Sequence, residues 1–335
     1  MTIAAAPGKV ILVGEHAVVY GRPAIAVPVW ETTATAEIVP GPAGHGCHIT
    51  AAQIGLDAPL LALDDTDPLG LIVRLTLREA GVDAPPDWAI RVHSSIPIAS
   101  GLGSGAAISA ALVRAIYAEL GRTSDPATVS RLVYASEELY HGTPSGIDNT
   151  VIAYAMPVWF VKGHAPERFA PAAPFTLAIA DSGITAPTKT TVGDVRRAWQ
   201  LDPARYEAHF DAIAAQVTAA RAAMEQADWP ALGACFDRNH ALLQELDVSS
   251  PALDQLVRAA REAGALGAKL SGGGRGGNII ALVTPARTDA VRTALHAAGA
   301  AHVIVTTVAA TSAAPGGGTT AATTAPDSHQ AIERI

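Results

Sequence analysis

The sequence predicts an α+β fold divided between two domains. The chain has 335 residues, of which 49% are hydrophobic and only 16% are charged, so most of it can bury a core. In residues 1–95, Gly and Pro residues separate short Val/Ile-rich runs that are typical of strands. From Gly105 the pattern changes to helical periodicity, and beyond residue 175 segments of both types alternate.

In the first half, the runs that predict strands are 23–29, 33–39 and 88–92. The first predicted helix starts at Gly105, because Ile108, Leu112 and Ile116 recur on one face. A second helix is predicted over 126–140, with Asp125 as its cap and Pro126 in its first turn. A loop at 141–149 and strands at 151–155 and 158–161 follow.

The Pro/Ala-rich residues 165–174 resemble a linker, and the second half resumes with a strand at 175–181. Its remaining predicted elements are helices at 203–226, 228–246, 251–264 and 285–298 and strands at 278–283 and 302–307. We therefore expect an N-terminal domain over 1–170 and a C-terminal domain over 171–310. The Gly/Ala/Thr/Pro composition of 311–335 predicts a disordered tail.

Charge and composition exclude several classes of function. The 23 basic and 31 acidic residues give a formal charge of −8, and no Lys/Arg cluster offers a surface for nucleic acid. The longest uncharged stretch, 92–113, is interrupted by Pro97 and three glycines, so no membrane span is expected. The N-terminus lacks the pattern of an export signal, and Cys47 and Cys235 lack disulfide or zinc spacing, so we expect a cytoplasmic location.

The basic residues are almost all arginines. Lysine occurs only at Lys9, Lys162, Lys189 and Lys269. Codon bias explains such a distribution, but a retained lysine can also mark a position that needs a compact ammonium group. Three of the four lie inside or beside glycine-rich segments, which favours the second explanation.

Residues 97–107, with the sequence PIASGLGSGAA, lie between a predicted strand and an amphipathic helix. Backbone N–H groups at the start of such a helix can converge on an anion at its positive end. The segment is not a Walker A loop, because GxxxxGK[ST] is absent. A phosphate-binding loop and a purely structural tight turn are the two interpretations of this segment.

A second glycine run occupies 269–277, with the sequence KLSGGGRGG. It matches GxGxxG at Gly272, Gly274 and Gly277, but a helix precedes it and a strand follows, which is the reverse of a dinucleotide-binding fold. So many glycines are costly in conformational entropy. Close approach of the backbone to a ligand would explain them, and a flexible hinge is the alternative.

Several ionisable residues lie in segments where a catalytic or ligand-binding role is plausible. Lys9 and His16 flank an apolar Val-Ile-Leu-Val segment, although a lone histidine there is more often structural. Asp148 falls in the 141–149 loop, where turn capping is the commoner role. Glu137 and Glu138 lie near the end of a helix, where the dipole disfavours acids, so at least one of them is expected to have a compensating partner such as magnesium.

Taken in order, four segments resemble the motifs of the GHMP small-molecule kinases. They are PGKVILVGEHAVVYG, PIASGLGSGAA, HGTPSGIDN and KLSGGGRGG, within residues 5–285. The residues of the first and third segments are most similar to those of the mevalonate kinase branch. The resemblance implies an N-terminal domain like ribosomal protein S5 domain 2, followed by a ferredoxin-like domain, with the active site between them.

The resemblance also implies roles for individual residues. Asp148 would be the catalytic base and Lys9 the neighbouring cation that keeps it ionised and polarises the substrate hydroxyl. Ser104 and Glu137 would hold Mg²⁺. The positions that match substrate contacts are Glu15, His16 and Thr188. The positions that match ATP contacts are Pro97, Ser100, Gly101, Leu102, Gly103, Ser104, Gly105, Ala106, Gly273 and Gly274.

The expected reaction is transfer of the ATP γ-phosphoryl group to the 5-hydroxyl of mevalonate, for isoprenoid biosynthesis. Alternatives are a mevalonate 3-kinase, a phosphomevalonate decarboxylase, a sugar or homoserine kinase, and a non-catalytic nucleotide-binding sensor. The decarboxylases usually lack a lysine where Lys9 stands, and a sensor should have lost Asp148. One departure from the family is Gly105, which replaces a usual serine and puts the metal role of Ser104 in doubt. Whether the chain forms a homodimer is left open.

Overall fold

The computed structural model describes residues 1–97, 100–141 and 144–310. The predicted disordered tail at 311–335 lies outside the described residues. The strands in these ranges are β1 Thr2–Val13, β2 Ala24–Pro40, β3 His48–Ala51, β4 Leu56–Pro59, β5 Trp88–Ser94, β6 Val158–Phe160, β7 Glu167–Arg168, β8 Phe175–Asp181, β9 Gly267–Ser271, β10 Asn278–Val283 and β11 His302–Val308. The helices are α1 Pro68–Glu79, α2 Ser104–Glu119, α3 Pro126–His141, α4 Ile147–Tyr154, α5 Thr188–Leu201, α6 Pro203–Gln226, α7 Trp229–Glu245, α8 Pro251–Glu262 and α9 Thr288–Ala297.

The first sheet has the strand order β4-β3-β5-β2-β6-β7, and β1 also pairs with β2. Its pairs are antiparallel except β3 with β5, which is parallel. Helix α2 packs on β1 and β2 with α1, α3 and α4 beside it. Its buried face carries small residues such as Ala106, Ala107 and Ala110, which let the helix lie close to the sheet.

The second sheet has the order β11-β8-β10-β9 and is antiparallel throughout. Strand β10 is buried along its whole length, as expected for a central strand. Helices α7, α8 and α9 pack on this sheet. The start of α8 is capped as the sequence predicts, because the Ser250 hydroxyl accepts from the Leu253 N–H at 3.4 Å and Pro251 occupies the first turn.

The mixed α+β class predicted from the sequence is confirmed, but several elements differ. The strands predicted at 23–29 and 33–39 form one strand, β2. The strand predicted at 151–155 is wrong, because residues 151–154 belong to helix α4 and Ala155 is the C-cap of that helix. The sequence analysis also omitted α1, α5 and β9.

Local propensity explains the mistake at α4. Val151 and Ile152 are β-branched and favour strands. In the structure both are fully buried, and the helix that carries them packs against α2, α3 and β1. Tertiary packing therefore overrides the preference of the isolated segment.

Residues 165–174, predicted as a linker, contain β7, which pairs with β6 at the edge of the first sheet. The division at residue 170 stays a prediction. Among the helices of the described residues, none combines the length and apolarity that crossing a membrane requires.

Candidate active site

Lys9 lies on β1, where its side chain is only 4% exposed, and its Nζ is 3.0 Å from Asp148 Oδ1. Its backbone N–H donates to the Leu102 carbonyl at 2.9 Å, which ties the strand to the first glycine-rich segment. The structure therefore brings together two of the predicted residues and the loop that was predicted to bind phosphate.

Asp148 is in the first turn of α4, not in a loop as the sequence predicted. The helix starts after Gly146, whose φ of 91° makes the sharp entry that a side chain would oppose. A carboxylate in a first turn is stabilised by the positive end of the helix and stays partly accessible. Here the Asp148 side chain is 34% exposed, so it can meet a ligand while Lys9 lies behind it.

The segment at 97–107 connects β5 to α2, as predicted. Leu102 and Ala106 are each 1% exposed and fix the loop and the first helical turn to the core. The Ser100 hydroxyl donates to the Pro97 carbonyl at 2.8 Å. Residues 98 and 99, which complete this segment, lie outside the described part.

The start of α2 is open to a ligand. No atom lies within 4 Å of the position that a Cβ on Gly105 would take. Gly103, the residue before the helix, adopts φ 78° and faces the Lys9 side chain. Free backbone N–H groups in the first turn of a helix favour an anion such as a phosphate. The cradle predicted from the sequence is therefore accessible, and Lys9 lies beside it.

Glu137 lies on α3, near the Lys9–Asp148 pair. Burial and, to a smaller extent, the Asp148 carboxylate raise the pKa of Glu137 to about 7, against the opposing charge of Lys9. Among the described residues, no Lys, Arg or His forms an ion pair with Glu137. A carboxylate that is poorly compensated in this way favours a bound cation.

The second glycine-rich segment is the turn that joins β9 to β10. The Nε2–H of His16 donates to the Gly273 carbonyl at 3.1 Å. A Cβ on Gly273 would lie 2.9 Å from Thr188 Oγ1, at the start of α5. A Cβ on Gly274 would lie 1.9 Å from the Val248 carbonyl, so this turn is packed closely and is not a loose hinge.

His16 is 5% exposed and neutral. Burial lowers its pKa to about 4, and the Arg275 guanidinium adds to this shift, while the bond to Gly273 opposes it. Since Nε2 carries the proton, Nδ1 is left as a hydrogen-bond acceptor. Thr188, by contrast, is exposed at the first residue of α5.

Glu15, which the resemblance implies as a substrate contact, is buried in this structure. Its side chain is 1% exposed, and its two carboxylate oxygens bond internal partners. Oε1 pairs with Lys269 Nζ, and Oε2 accepts from Asn239 Nδ2 at 2.9 Å. Glu15 thus lies beneath His16 in the interior of the protein.

The two glycine-rich segments meet each other. Asn278, the first residue of β10, donates through Nδ2 to the Ser100 carbonyl. A Cβ on Gly101 would be 3.9 Å from the same amide nitrogen. The Lys9–Asp148 group and the His16–Gly273–Thr188 group are joined through this contact, and the described residues show no hydrogen bond directly between the two groups.

Sequence analysis missed four residues in the second half of the chain whose side chains support this arrangement. They are Asn239, Lys269, Arg275 and Asn278. Lys269 carried one signal, since it is one of only four lysines and adjoins the glycine run. The others carried none, because asparagine and arginine are ordinary surface residues and only the fold places them here.

Two family models match the chain: the one described as GHMP kinases N terminal domain, over residues 69–156, and the one described as GHMP kinases C terminal, over residues 220–301. A protein of Pyrococcus furiosus named mevalonate kinase is 32% identical over 323 residues, covering 90% of this chain and 95% of the relative.

Solved structures give the same result. The structure of L. major mevalonate kinase in complex with R-mevalonate superposes with a TM-score of 0.79 at 30% identity, covering 92% of this chain and 96% of the other. Streptococcus pneumoniae phosphomevalonate kinase, with phosphomevalonate and AMPPNP, has a TM-score of 0.78 at 17% identity, covering 91% of this chain and 100% of the other. That second likeness shows the fold alone.

Proposed function

The chain belongs to the GHMP kinase family, and from that premise we propose that it transfers the γ-phosphoryl group of ATP to the 5-hydroxyl of mevalonate. Use of ATP follows from the family. The observation that carries the proposal is the contact between Lys9 and Asp148, at 3.0 Å beside an open helix N-terminus. It provides a proton acceptor, a cation and an anion-binding site in one place.

Asp148 accepts the proton of the substrate hydroxyl. The hydroxyl oxygen then forms a bond to the γ-phosphorus, the bond from that phosphorus to the bridging oxygen breaks, and ADP leaves. Lys9, whose Nζ is 3.0 Å from the Asp148 carboxylate, holds that carboxylate in place and polarises the attacking oxygen. Phosphoryl transfer needs little covalent chemistry from the protein, so positioning and charge neutralisation supply most of the acceleration.

The nucleotide phosphates bind at the first glycine-rich segment. The backbone N–H groups of the first turn of α2 have no partner within the helix, and the space beside Gly105 in that turn is open. The turn with Gly273 and Gly274 closes the site from the second sheet, since Asn278 joins it to Ser100. Backbone groups thus provide most of the contacts to phosphate.

Magnesium fits the residues present. Glu137 supplies a hard anionic oxygen, and Ser104, at the start of α2, supplies a hydroxyl. With the phosphates and water these two residues are sufficient ligands, because Mg²⁺ usually keeps several waters. When bound, the metal neutralises charge on the transferring phosphoryl group.

The substrate side of the site is formed by His16 and Thr188, with Glu15 beneath them. Nδ1 of the neutral His16 ring accepts a hydrogen bond, and the Thr188 hydroxyl can donate one to a carboxylate. Lys189, which is exposed in the same helical turn, adds positive charge for an acidic substrate. This arrangement suits a small hydroxy acid better than a neutral sugar.

A coupled ADP-release assay with mevalonate, mevalonate 5-phosphate, galactose and homoserine tests the proposal. We expect kcat/KM for mevalonate to exceed that for each of the others by at least about a hundredfold, because a site built to hydrogen-bond its substrate can reject analogues that leave its polar groups unpaired by as much as about 10⁴–10⁵. A higher value for another acceptor would replace the proposed substrate. The absence of ADP release with all four, in a protein that still binds ATP, would favour a nucleotide sensor.

A further inference from the structure

Lys269 is fully buried, at 0% exposure, and the reaction proposed above gives it no role. Its Nζ pairs with Glu15 Oε1 and donates to the Leu270 carbonyl at 2.6 Å. Asn239, also fully buried, occupies the other oxygen of Glu15. Burying two charges is costly unless they are paired and hydrogen-bonded, and here each charge has the other as its partner and makes one further hydrogen bond.

This pair links the two sheets. Lys269 and Ser271 are two positions apart on β9, so their side chains lie on the same face. The Ser271 hydroxyl donates to the Ile11 carbonyl at 2.9 Å and accepts from the Ile11 N–H at 3.2 Å. One face of β9 is therefore bonded to the end of β1 and to the residue just before His16.

The backbone at His16 is strained. Its φ is 62°, in the left-handed region that residues other than glycine rarely adopt. Such strain persists only where the surroundings hold it, and it is concentrated at functional sites. His16 is held on one side by Glu15, which Lys269 anchors, and on the other by the Gly273 carbonyl at 3.1 Å.

We propose that Lys269 and Glu15 are positioning residues for the substrate side of the site, acting by holding His16 in its strained conformation. Lys269 is too deeply buried to touch a substrate, and Glu15 has both carboxylate oxygens engaged. Their contribution to mevalonate binding therefore passes through His16. The inference rests on the proposed function, because His16 is assigned there to the substrate side.

Kinetics of the double variant Glu15→Gln/Lys269→Met test the inference. Lys269→Met alone leaves a buried charge without its partner and can fail to fold, whereas the double variant removes both charges. We expect the double variant to melt within a few degrees of the wild type. Its KM for mevalonate should rise about tenfold, while its KM for ATP changes less than about twofold.

A matched control is Thr76→Val. Thr76 is fully buried in α1 and donates to the Ile72 carbonyl at 2.7 Å, outside the site. Its loss should lower the melting temperature without raising either KM. If the double variant keeps the wild-type KM for mevalonate, the pair serves stability alone and the inference is overturned.

A titration of His16 by NMR tests the same inference without any substrate. The causes of its low pKa are burial and the charge of Arg275, to which neither Glu15 nor Lys269 contributes. If the pair holds His16 in place, the double variant should let the ring become more exposed. Its pKa should then rise from about 4 toward the ordinary 6.5.

The imidazole signal of His16 is assigned by its loss in a His16→Gln variant. An unchanged pKa of about 4 in the folded double variant would overturn the inference. If the wild type fails to phosphorylate mevalonate, the proposed function fails. The titration still decides whether Glu15 and Lys269 position His16.

Discussion

Replacing Gly103 by alanine should disturb the Lys9–Asp148 pair, although neither of these two residues is itself substituted. Gly103 precedes α2 with φ 78°, and an added Cβ would lie 3.0 Å from Lys9 Cγ and 3.3 Å from Lys9 Cε. It would also lie 3.0 Å from Ile152 Cδ1. Because Lys9 is only 4% exposed, its side chain has little room to move except along the site.

The magnitude follows from the geometry of the Lys9–Asp148 pair. At an effective dielectric constant of about 20, unit charges 3.0 Å apart attract by about 5.5 kcal/mol, and at about 4 Å by about 4.2 kcal/mol. A shift of Lys9 Nζ by about 1 Å therefore weakens the attraction by about 1.4 kcal/mol, which is about tenfold in rate. We expect kcat to fall by about this factor.

The assay is steady-state ADP release at saturating ATP and mevalonate, together with thermal melting. Gly121→Ala is the matched control, because Gly121 follows the other end of α2 with φ 67° and has no atom within 4 Å of an added Cβ. The free energy of unfolding of both variants should fall by about 1 kcal/mol, because alanine disfavours the left-handed backbone conformation that glycine adopts at these positions. Equal kcat values for the two variants would refute the argument that Gly103 leaves room for Lys9.

Three other predictions concern the site and its surroundings. Asp148→Asn should lower kcat by a factor of about 10²–10⁴ with little change in the affinity for ATP. A residual kcat above about a tenth of the wild-type value would mean that Asp148 only stabilises the start of α4 and is not the general base. Glu137→Gln should raise the Mg²⁺ concentration needed for half-maximal activity, and Ser104→Ala should do so less strongly; an unchanged requirement in both variants would place the metal elsewhere. His240, buried at 2% exposure, has a pKa lowered by burial to about 4, so unfolding takes up a proton below about pH 6.5 and stability falls as the pH drops toward 4. In urea unfolding between pH 6.5 and 4.5, His240→Gln should reduce the slope of stability against pH by about 1.4 kcal/mol per unit, and an identical slope would contradict a neutral buried histidine.

The local parts of the site could be predicted from the sequence. The segment proposed to bind phosphate is one continuous stretch of sequence, so its glycines and the amphipathic helix that follows can be recognised without knowing the fold. The boundaries of α6 at 203–226 were also predicted from the sequence, and in the structure Asp202 caps its start and Pro203 occupies the first turn. Where a cap and a periodic face coincide, local sequence decides the element.

The remaining parts depend on contacts between distant residues. Asp148 was expected in a loop because the Gly/Pro/Ser residues before it are typical of turns, whereas packing of Val151 and Ile152 extends a helix back to Ile147. Nothing adjacent to Glu15 in sequence indicates that its partner is Lys269, since only the meeting of β9 with the end of β1 brings the two together. The family resemblance implied only that Glu15 contacts the substrate, and it gave no indication of the buried pair with Lys269.

The most direct test of the central claim is the position of the new phosphoryl group. The wild-type protein is incubated with ATP, Mg²⁺ and mevalonate labelled with ¹³C at carbon 5, and the product is examined by ¹³C and ³¹P NMR. Transfer to the 5-hydroxyl predicts that the labelled carbon is split by phosphorus and that no carbon dioxide is released. A phosphorylated product whose labelled carbon is not split by phosphorus, release of carbon dioxide, or ADP formed without a phosphorylated acceptor would contradict the account.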